Sequence, residues 1–166
     1  MRIAVVMLCV SHPEWWSITI PSLEHFKWDR YVFYRGEKPT SPYESIELPK
    51  RIYEYKNADI GFNRNFIMSI LEDYDVVVMV DDDVLVQSTP ESPELDTVTV
   101  YIPKVKKPMK SNHPRSYGVF AIPRRIWMET GFPEGTNEYI EFTMHMIETR
   151  GFIVLKPLKW THLGGM

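Results

Sequence analysis

The chain has 166 residues, 44% of them hydrophobic, enough to bury one substantial core and too few for two ordinary domains, so a single domain over residues 1–166 is expected. Its 19 basic and 22 acidic residues leave a formal charge of −3, which excludes a general electrostatic attraction to nucleic acid or to an anionic membrane and leaves any anionic ligand to local geometry. The one cysteine, Cys9, lies in an apolar run and has no intramolecular partner, which fits a buried structural thiol in a reducing, cytoplasmic compartment.

The opening run MRIAVVMLCV ends at Val10, before Ser11, His12 and Pro13, and is too short for a secretory signal. Both alternating positions of residues 3–10 are apolar, as in a strand covered on both faces of an α/β sheet. No later run approaches the roughly 18 apolar residues of a membrane span, so a soluble protein is expected, with peripheral membrane contact left open. Pro13 suits the first turn of a helix over residues 14–26, with Pro21 as its break. Residues 31–34 read as a second strand and residues 35–45 as a loop, collecting Gly36, Pro39, Ser41 and Pro42; residues 51–55 offer a further short strand.

Residues 60–74 set Phe62, Phe66, Ile67, Ile70 and Leu71 near helical spacing, with Asn63, Arg64 and Ser69 on other faces and Asp59 and Gly61 at the start. Residues 76–80 form a fully apolar strand that runs directly into Asp81, Asp82 and Asp83. Beyond Gln87 the expected order is a strand at 97–102, a basic proline-bearing loop at 103–114, a strand at 117–122, a short helix at 123–130 stopped by Gly131 and Phe132, a helix at 136–149 and a strand at 152–155. Strands alternating with helices favour a mostly parallel sheet flanked by helices on both faces. No internal repeat or low-complexity tract interrupts it.

Three adjacent carboxylates repel one another unless a positive charge sits among them. At a strand end side chains alternate, which sends Asp81 and Asp83 one way and Asp82 the other. The outer pair is a ligand set for a hard divalent cation, Mg²⁺ or Mn²⁺, which keeps positions open for phosphates; a solvated acidic turn is the plainer alternative. In open α/β sheets ligands bind beyond the carboxyl ends of the strands, where these aspartates fall.

The segment VVVMVDDDVLV resembles the strand and D-x-D motif of GT-A glycosyltransferases, particularly the family-two group, and three further segments match in the same order. KNADIGFNRNFIMSILED is similar to the segment whose glycine and Arg-Asn pair open the preceding helix. YGVFAIPRRIWMETGFPEG is similar to the strand, short helix and Gly-Phe turn that follow. NEYIEFTMHMIETRGFIVLKPLKWTHLGG resembles the acidic helix, Gly-aromatic turn, strand and terminal histidine that close the domain. The resemblance covers most of the chain from Asn57 onward and implies a small GT-A-type, Rossmann-like domain with a nucleotide-diphosphate-sugar donor and an acceptor hydroxyl on a glycan, lipid-linked group or protein.

Carried over position by position, the resemblance makes Asp81 a contact of the nucleotide sugar and a neighbour of the metal, Asp83 a metal ligand bridging to the diphosphate, and Asp82 the middle position near the ribose. It assigns Arg64 to a uracil oxygen or a phosphate, Ser11 and His12 to the nucleobase, and His162 to the metal, a role that neutral imidazole suits for Mn²⁺. Glu138, Glu141, His145 and Glu148 form one stripe of the last helix, and in inverting relatives a carboxylate at its start acts as general base. Glu138 is the first candidate and Glu141 the second. The family's usual Glu-Asp pair is absent, since Tyr139 follows Glu138, and this departure supports an alternative: a nucleotide-sugar-binding module without a competent base. A sugar-phosphate nucleotidyltransferase would need a glycine-rich phosphate loop that CVSHPEWW does not offer, and a haloacid-dehalogenase-type phosphatase would need Gly-Thr where Val84 and Leu85 stand. Lys104, Lys106, Lys107, Lys110 and Arg115 suit either a diphosphate cover or a solvated loop. Trp15, Trp16, Trp127 and Trp160 suit either sugar stacking or the core.

Overall fold

The computed structural model describes residues 1–50, 59–103, 118–134 and 153–164. A seven-stranded sheet forms its centre, built from β1 (Ile3–Cys9), β2 (Asp29–Tyr34), β3 (Glu44–Glu47), β4 (Val76–Asp81), β6 (Thr99–Pro103), β7 (Val119–Pro123) and β8 (Val154–Leu158). Its order is β3-β2-β1-β4-β7-β6-β8. Neighbours pair in parallel except around β7, which runs antiparallel to both β4 and β6. A separate antiparallel ribbon joins β5 (Val84–Val86) to β9 (Trp160–His162).

Every residue of β1 is buried, because this strand lies between β2 and β4 with both faces covered. Ala4, Val6 and Leu8 join Val77 and Met79 on one face, packed with Ile67 and Met68 of helix α2 (Asp59–Ile70), with Leu71 just after it, and with Ile126 of α3 (Arg124–Thr130). Ile3, Val5, Met7 and Cys9 join Val76, Val78 and Val80 on the other, with Ile20, Leu23, Phe26 and Trp160. The equal apolarity of both alternating positions is therefore the requirement of two cores sharing one strand. Cys9 is buried, as expected of a structural thiol.

Several expected boundaries shift. The segment after β1 is divided into a 3₁₀ turn at Pro13–Trp15, a single turn α1 (Trp16–Thr19) and a second 3₁₀ stretch at Pro21–His25, with the break at Pro21. The expected loop at 35–45 gives way to β3 at Glu44, and the strand expected at 51–55 lies outside the described residues, as do the basic loop from 104 and the helix at 136–149. Helix α2 stops at Ile70, short of Tyr74. Its buried face also differs from the expected one. Asn63 and Arg64 are buried whereas Ile70 is 46% exposed, because the first turns of α2 lie where Arg35 and Asp81 supply polar partners. Helix α3 ends as expected at Gly131, whose φ of 62° suits glycine and whose N–H reaches the Trp127 carbonyl. Among the described residues no helix is long and apolar enough to cross a membrane.

Candidate active site

Strand β4 delivers the three aspartates at its carboxyl end, where Asp81 closes the strand and Asp82 and Asp83 make the turn into β5. The alternation expected at a strand end is present. Asp82 turns towards the segment after β1, and its Oδ2 accepts from the backbone N–H groups of Val10 (3.2 Å), Ser11 (2.9 Å) and His12 (2.8 Å) and from the Trp16 indole (2.9 Å). Three successive N–H groups form a concave anion nest, and here the anion is the protein's own carboxylate. The Asp82 carbonyl in turn accepts from the Thr19 hydroxyl.

This arrangement gives two of the expected site segments partners within the protein. The N–H groups of Ser11 and His12, the residues expected near the nucleobase, donate to Asp82. Asp82, the residue expected near the ribose, has its Oδ2 held inside the turn by four donors and is 3% exposed. The physical reason is register: β1 and β4 pair with Leu8 opposite Asp81, which sets the next residues of each strand against one another.

Asp81 and Asp83 face the other way and meet His162. One ligand atom from each of the three lies within 4.8 Å of the others. The ribbon explains the meeting, since pairing of β5 with β9 sets His162 opposite Val84, the residue after Asp83, and Leu163 N–H donates to the Asp83 carbonyl at 2.7 Å. His162 Nε2 is 2.7 Å from Asp83 Oδ2. The Asp83 side chain is 5% exposed, while those of Asp81 and His162 are each 39% exposed, so the group is anchored at its base and open at its rim. His12, expected at the nucleobase, has its ring beside Asp83, with Nε2 at 3.4 Å from Oδ2 and Nδ1 at 3.4 Å from Glu14. Gly164 closes this corner. A Cβ there would fall 2.8 Å from Asp83 Oδ2 and 3.1 Å from His12 Nδ1, so only glycine fits.

The segment GFNRN at the start of α2 builds the opposite wall. Gly61 lies against the Pro133 carbonyl, where any side chain would collide with backbone. Asn63 accepts from Arg35 at 3.0 Å. Arg64 lies over the Phe120 ring, 4.8 Å from its centroid, with one Nη 3.6 Å from Asp81 Oδ1. Asn65 Oδ1 accepts from the Trp127 indole and from Phe132 N–H, and its amide donates to the Phe132 carbonyl. Arg64 is thus a buried, stacked guanidinium beside Asp81. Glu138 and Glu141 lie outside the described residues.

The fold matches that of solved structures over almost the whole chain. Glucosyl-3-phosphoglycerate synthase from Mycobacterium tuberculosis, in complex with Mg²⁺ and uridine diphosphate, superposes with a TM-score of 0.65 at 14% identity, covering 97% of this chain and 71% of that one. The same synthase with Mn²⁺, UDP-glucose and phosphoglyceric acid gives 0.66 with the same identity and coverage. S. aureus TarS gives 0.61 at 13% identity, covering 96% of this chain and 35% of that one. The fold is the GT-A glycosyltransferase fold. No family model matches the sequence, and no curated protein matches it by sequence. Within the GT-A fold, the acidic turn after β4 occupies the carboxyl end of the sheet, the general position for ligands in open α/β sheets.

Trp160 belongs to the core: it is 6% exposed and its indole donates to the Tyr101 carbonyl. Trp16 is committed to Asp82 and Trp127 to Asn65, so these three indole N–H groups are occupied by the protein itself. The role of Asp82 as organiser of the turn was the feature sequence reasoning missed. Strand alternation gave its direction but not its partners.

Proposed function

We propose that this chain transfers a sugar from a nucleotide diphosphate donor to an acceptor hydroxyl, with Asp81, Asp83 and His162 holding Mn²⁺ or Mg²⁺. The observation that carries this reading is the convergence of those three side chains at the carboxyl end of a GT-A sheet. Two carboxylates and an imidazole suit Mn²⁺ by their chemistry. Ligands about 2.1 Å from an ion stand about 3–4.2 Å apart; the three donors group within 4.8 Å, and the 2.7 Å His162–Asp83 pair reaches this span by opening a few tenths of an ångström. The partial exposure of Asp81 and His162 leaves a side open to phosphate oxygens.

When bound, the cation supplies neutralisation of the charge that builds on the departing diphosphate. The chain's own residues do the rest. Arg64, held rigid on Phe120, presents a guanidinium to the donor beside Asp81, and a preoriented guanidinium pairs well with phosphate or a uracil carbonyl. Asp82 keeps the first turn after β1 in register with the acidic turn. Glu138, with Glu141 as second candidate, takes the proton from the acceptor hydroxyl as it attacks the anomeric carbon, which gives inversion. The departure at Tyr139 supports the second reading, a binding module that holds the donor without transfer.

Calorimetric titration of a nucleoside diphosphate panel, with and without Mn²⁺, tests the site on the wild type and on Asp83→Ala. Metal-dependent binding in the wild type and its loss in the variant are expected. Absence of nucleotide binding in either metal state would sink the reading. Product analysis with the donor that binds separates transfer, with anomer inversion read by NMR, from binding alone.

A further inference from the structure

The three corners of the proposed cation site do not account for His12. Its backbone N–H is fixed on Asp82 at 2.8 Å, its ring packs against Gly164, and its Nε2 stands 3.4 Å from Asp83 Oδ2, the same oxygen that His162 Nε2 approaches at 2.7 Å. Two imidazoles thus address one buried carboxylate oxygen. They cannot keep the same role once a cation is held. An imidazole nitrogen that ligates a metal carries no proton, so His162, ligating through the Nε2 that faces Asp83, then ceases to be a hydrogen-bond donor to that carboxylate. Asp83 needs another donor on that side, because an inward-facing carboxylate left without one costs free energy and loses its orientation.

From this geometry we propose that His12 is a positioning residue for Asp83, donating from Nε2 to Oδ2 when His162 turns to the cation. The inference rests on the metal reading above. The 3.4 Å separation exceeds the usual hydrogen-bond range of about 2.7–3.2 Å by a few tenths of an ångström, a distance that a small ring rotation covers. Glu14, 3.4 Å from Nδ1, lies on the other side of the ring. Gly164 is part of the same device: a Cβ at that position would meet both the His12 ring and the Asp83 carboxylate, so the glycine allows the two to approach. His12 does not have to touch the ion, the nucleotide or the sugar to act. Residues that hydrogen-bond a metal's carboxylate ligands typically change metal affinity 10- to 100-fold when removed.

The test titrates the full chain with Mn²⁺ alone, following the free aquo-ion signal by electron paramagnetic resonance, for the wild type, Asp83→Asn, His12→Ala and His12→Gln. Metal-free thermal melting is recorded for each. His12→Ala is expected to raise the Mn²⁺ dissociation constant by roughly 10- to 100-fold, and His12→Gln, whose amide N–H reaches near the place of Nε2, to recover most of it. A merely structural histidine would not be rescued in this way. Wild-type affinity in His12→Ala overturns the proposal, as does a folded His12→Gln that binds no better than His12→Ala. Should His12→Ala fail to fold, the glutamine variant decides alone: near-wild-type affinity supports the role, and a loss above about tenfold overturns it. In both cases Asp83→Asn must lose the ion. If the wild type binds Mn²⁺ no better than Asp83→Asn, the cation reading itself fails and this inference with it.

Discussion

The Asp82 carboxylate satisfies four donors from one oxygen, so truncating it strands three backbone N–H groups and an indole in a partly buried turn. Each unsatisfied buried donor costs about 1–3 kcal/mol, and bonds to a charged acceptor lie at the stronger end. Water can reach part of the gap, which reduces the sum. Asp82→Ala is therefore expected to lose at least about 3 kcal/mol of stability, and Asp82→Asn, which keeps an acceptor oxygen, about half as much. Urea unfolding of the metal-free protein measures both, and an alanine variant within about 1 kcal/mol of wild type would remove the organising role. The outer carboxylates were legible as candidates because residue type and a strand end suffice to nominate them, whereas His162 was nominated only by the resemblance of the segment that carries it. What Asp82 and His12 face was not legible. Their partners lie some seventy residues away in sequence, and only the pairing of β1 with β4 brings them together. Arg64 illustrates the same limit, since helical periodicity cannot reveal that Asp81 and two phenylalanine rings await a buried guanidinium.

Helix α2 owes its stop to a residue on another element. Arg124, at the start of α3, donates from Nη1 to the Met68 carbonyl, from Nη2 to Leu71 and from Nε to Tyr74, filling acceptors that a helix end leaves unpaired. Burial pushes this guanidinium below its ordinary value, while the charges of Glu72, Asp75 and Asp73 draw it back up. Arg124→Met keeps the packing stem but removes all three donors, so a loss of about 2–4 kcal/mol is expected, with faster amide exchange through residues 68–74. Unchanged exchange there would show that the helix end holds without the arginine. The long apolar strands β1 and β4, together with α3 and its Gly131 stop, were readable because their signals are local. Strands β3, β5 and β9 were not. They span only three or four residues, β3 carries glutamate at both ends, and β5 finds its partner in β9 more than seventy residues later. No window of sequence contains such a pairing.

At the scale of the molecule, alternation of strands and helices announced a mostly parallel α/β sheet, but not the reversal at β7, which runs antiparallel to both β4 and β6. The two cores on either side of β1 carry a consequence for alkaline stability. Cys9 is fully buried, and burial first, then the negative charge of Asp82, pushes its thiol well up. Tyr101 is raised chiefly by burial, with Glu91 and Glu94 adding to it. Tyr74 is raised by burial and by its hydrogen bonds to Asp29 and Tyr31. In the unfolded chain a thiol releases its proton near pH 8.5 and a phenol near pH 10, each by about those values. Below about pH 8 both states keep these protons, and the groups cost nothing. Above the unfolded values the unfolded chain binds fewer protons than the native one, so stability falls as pH rises, by up to about 1.4 kcal/mol per pH unit for each group. The decline continues until the raised native values are reached, beyond the working alkaline range. Cys9 opens the decline because its unfolded value is the lowest of the three. In Cys9→Val, which fills the buried strand position with a β-branched side chain, the onset should move from about pH 8.5 towards about pH 10, where the tyrosines begin to contribute. Urea midpoints from pH 7 to about pH 10.5 on both proteins read this directly. Coincident curves would mean that Cys9 ionises as readily in the folded protein as in the unfolded chain, and that the core between β1 and Asp82 admits a charge.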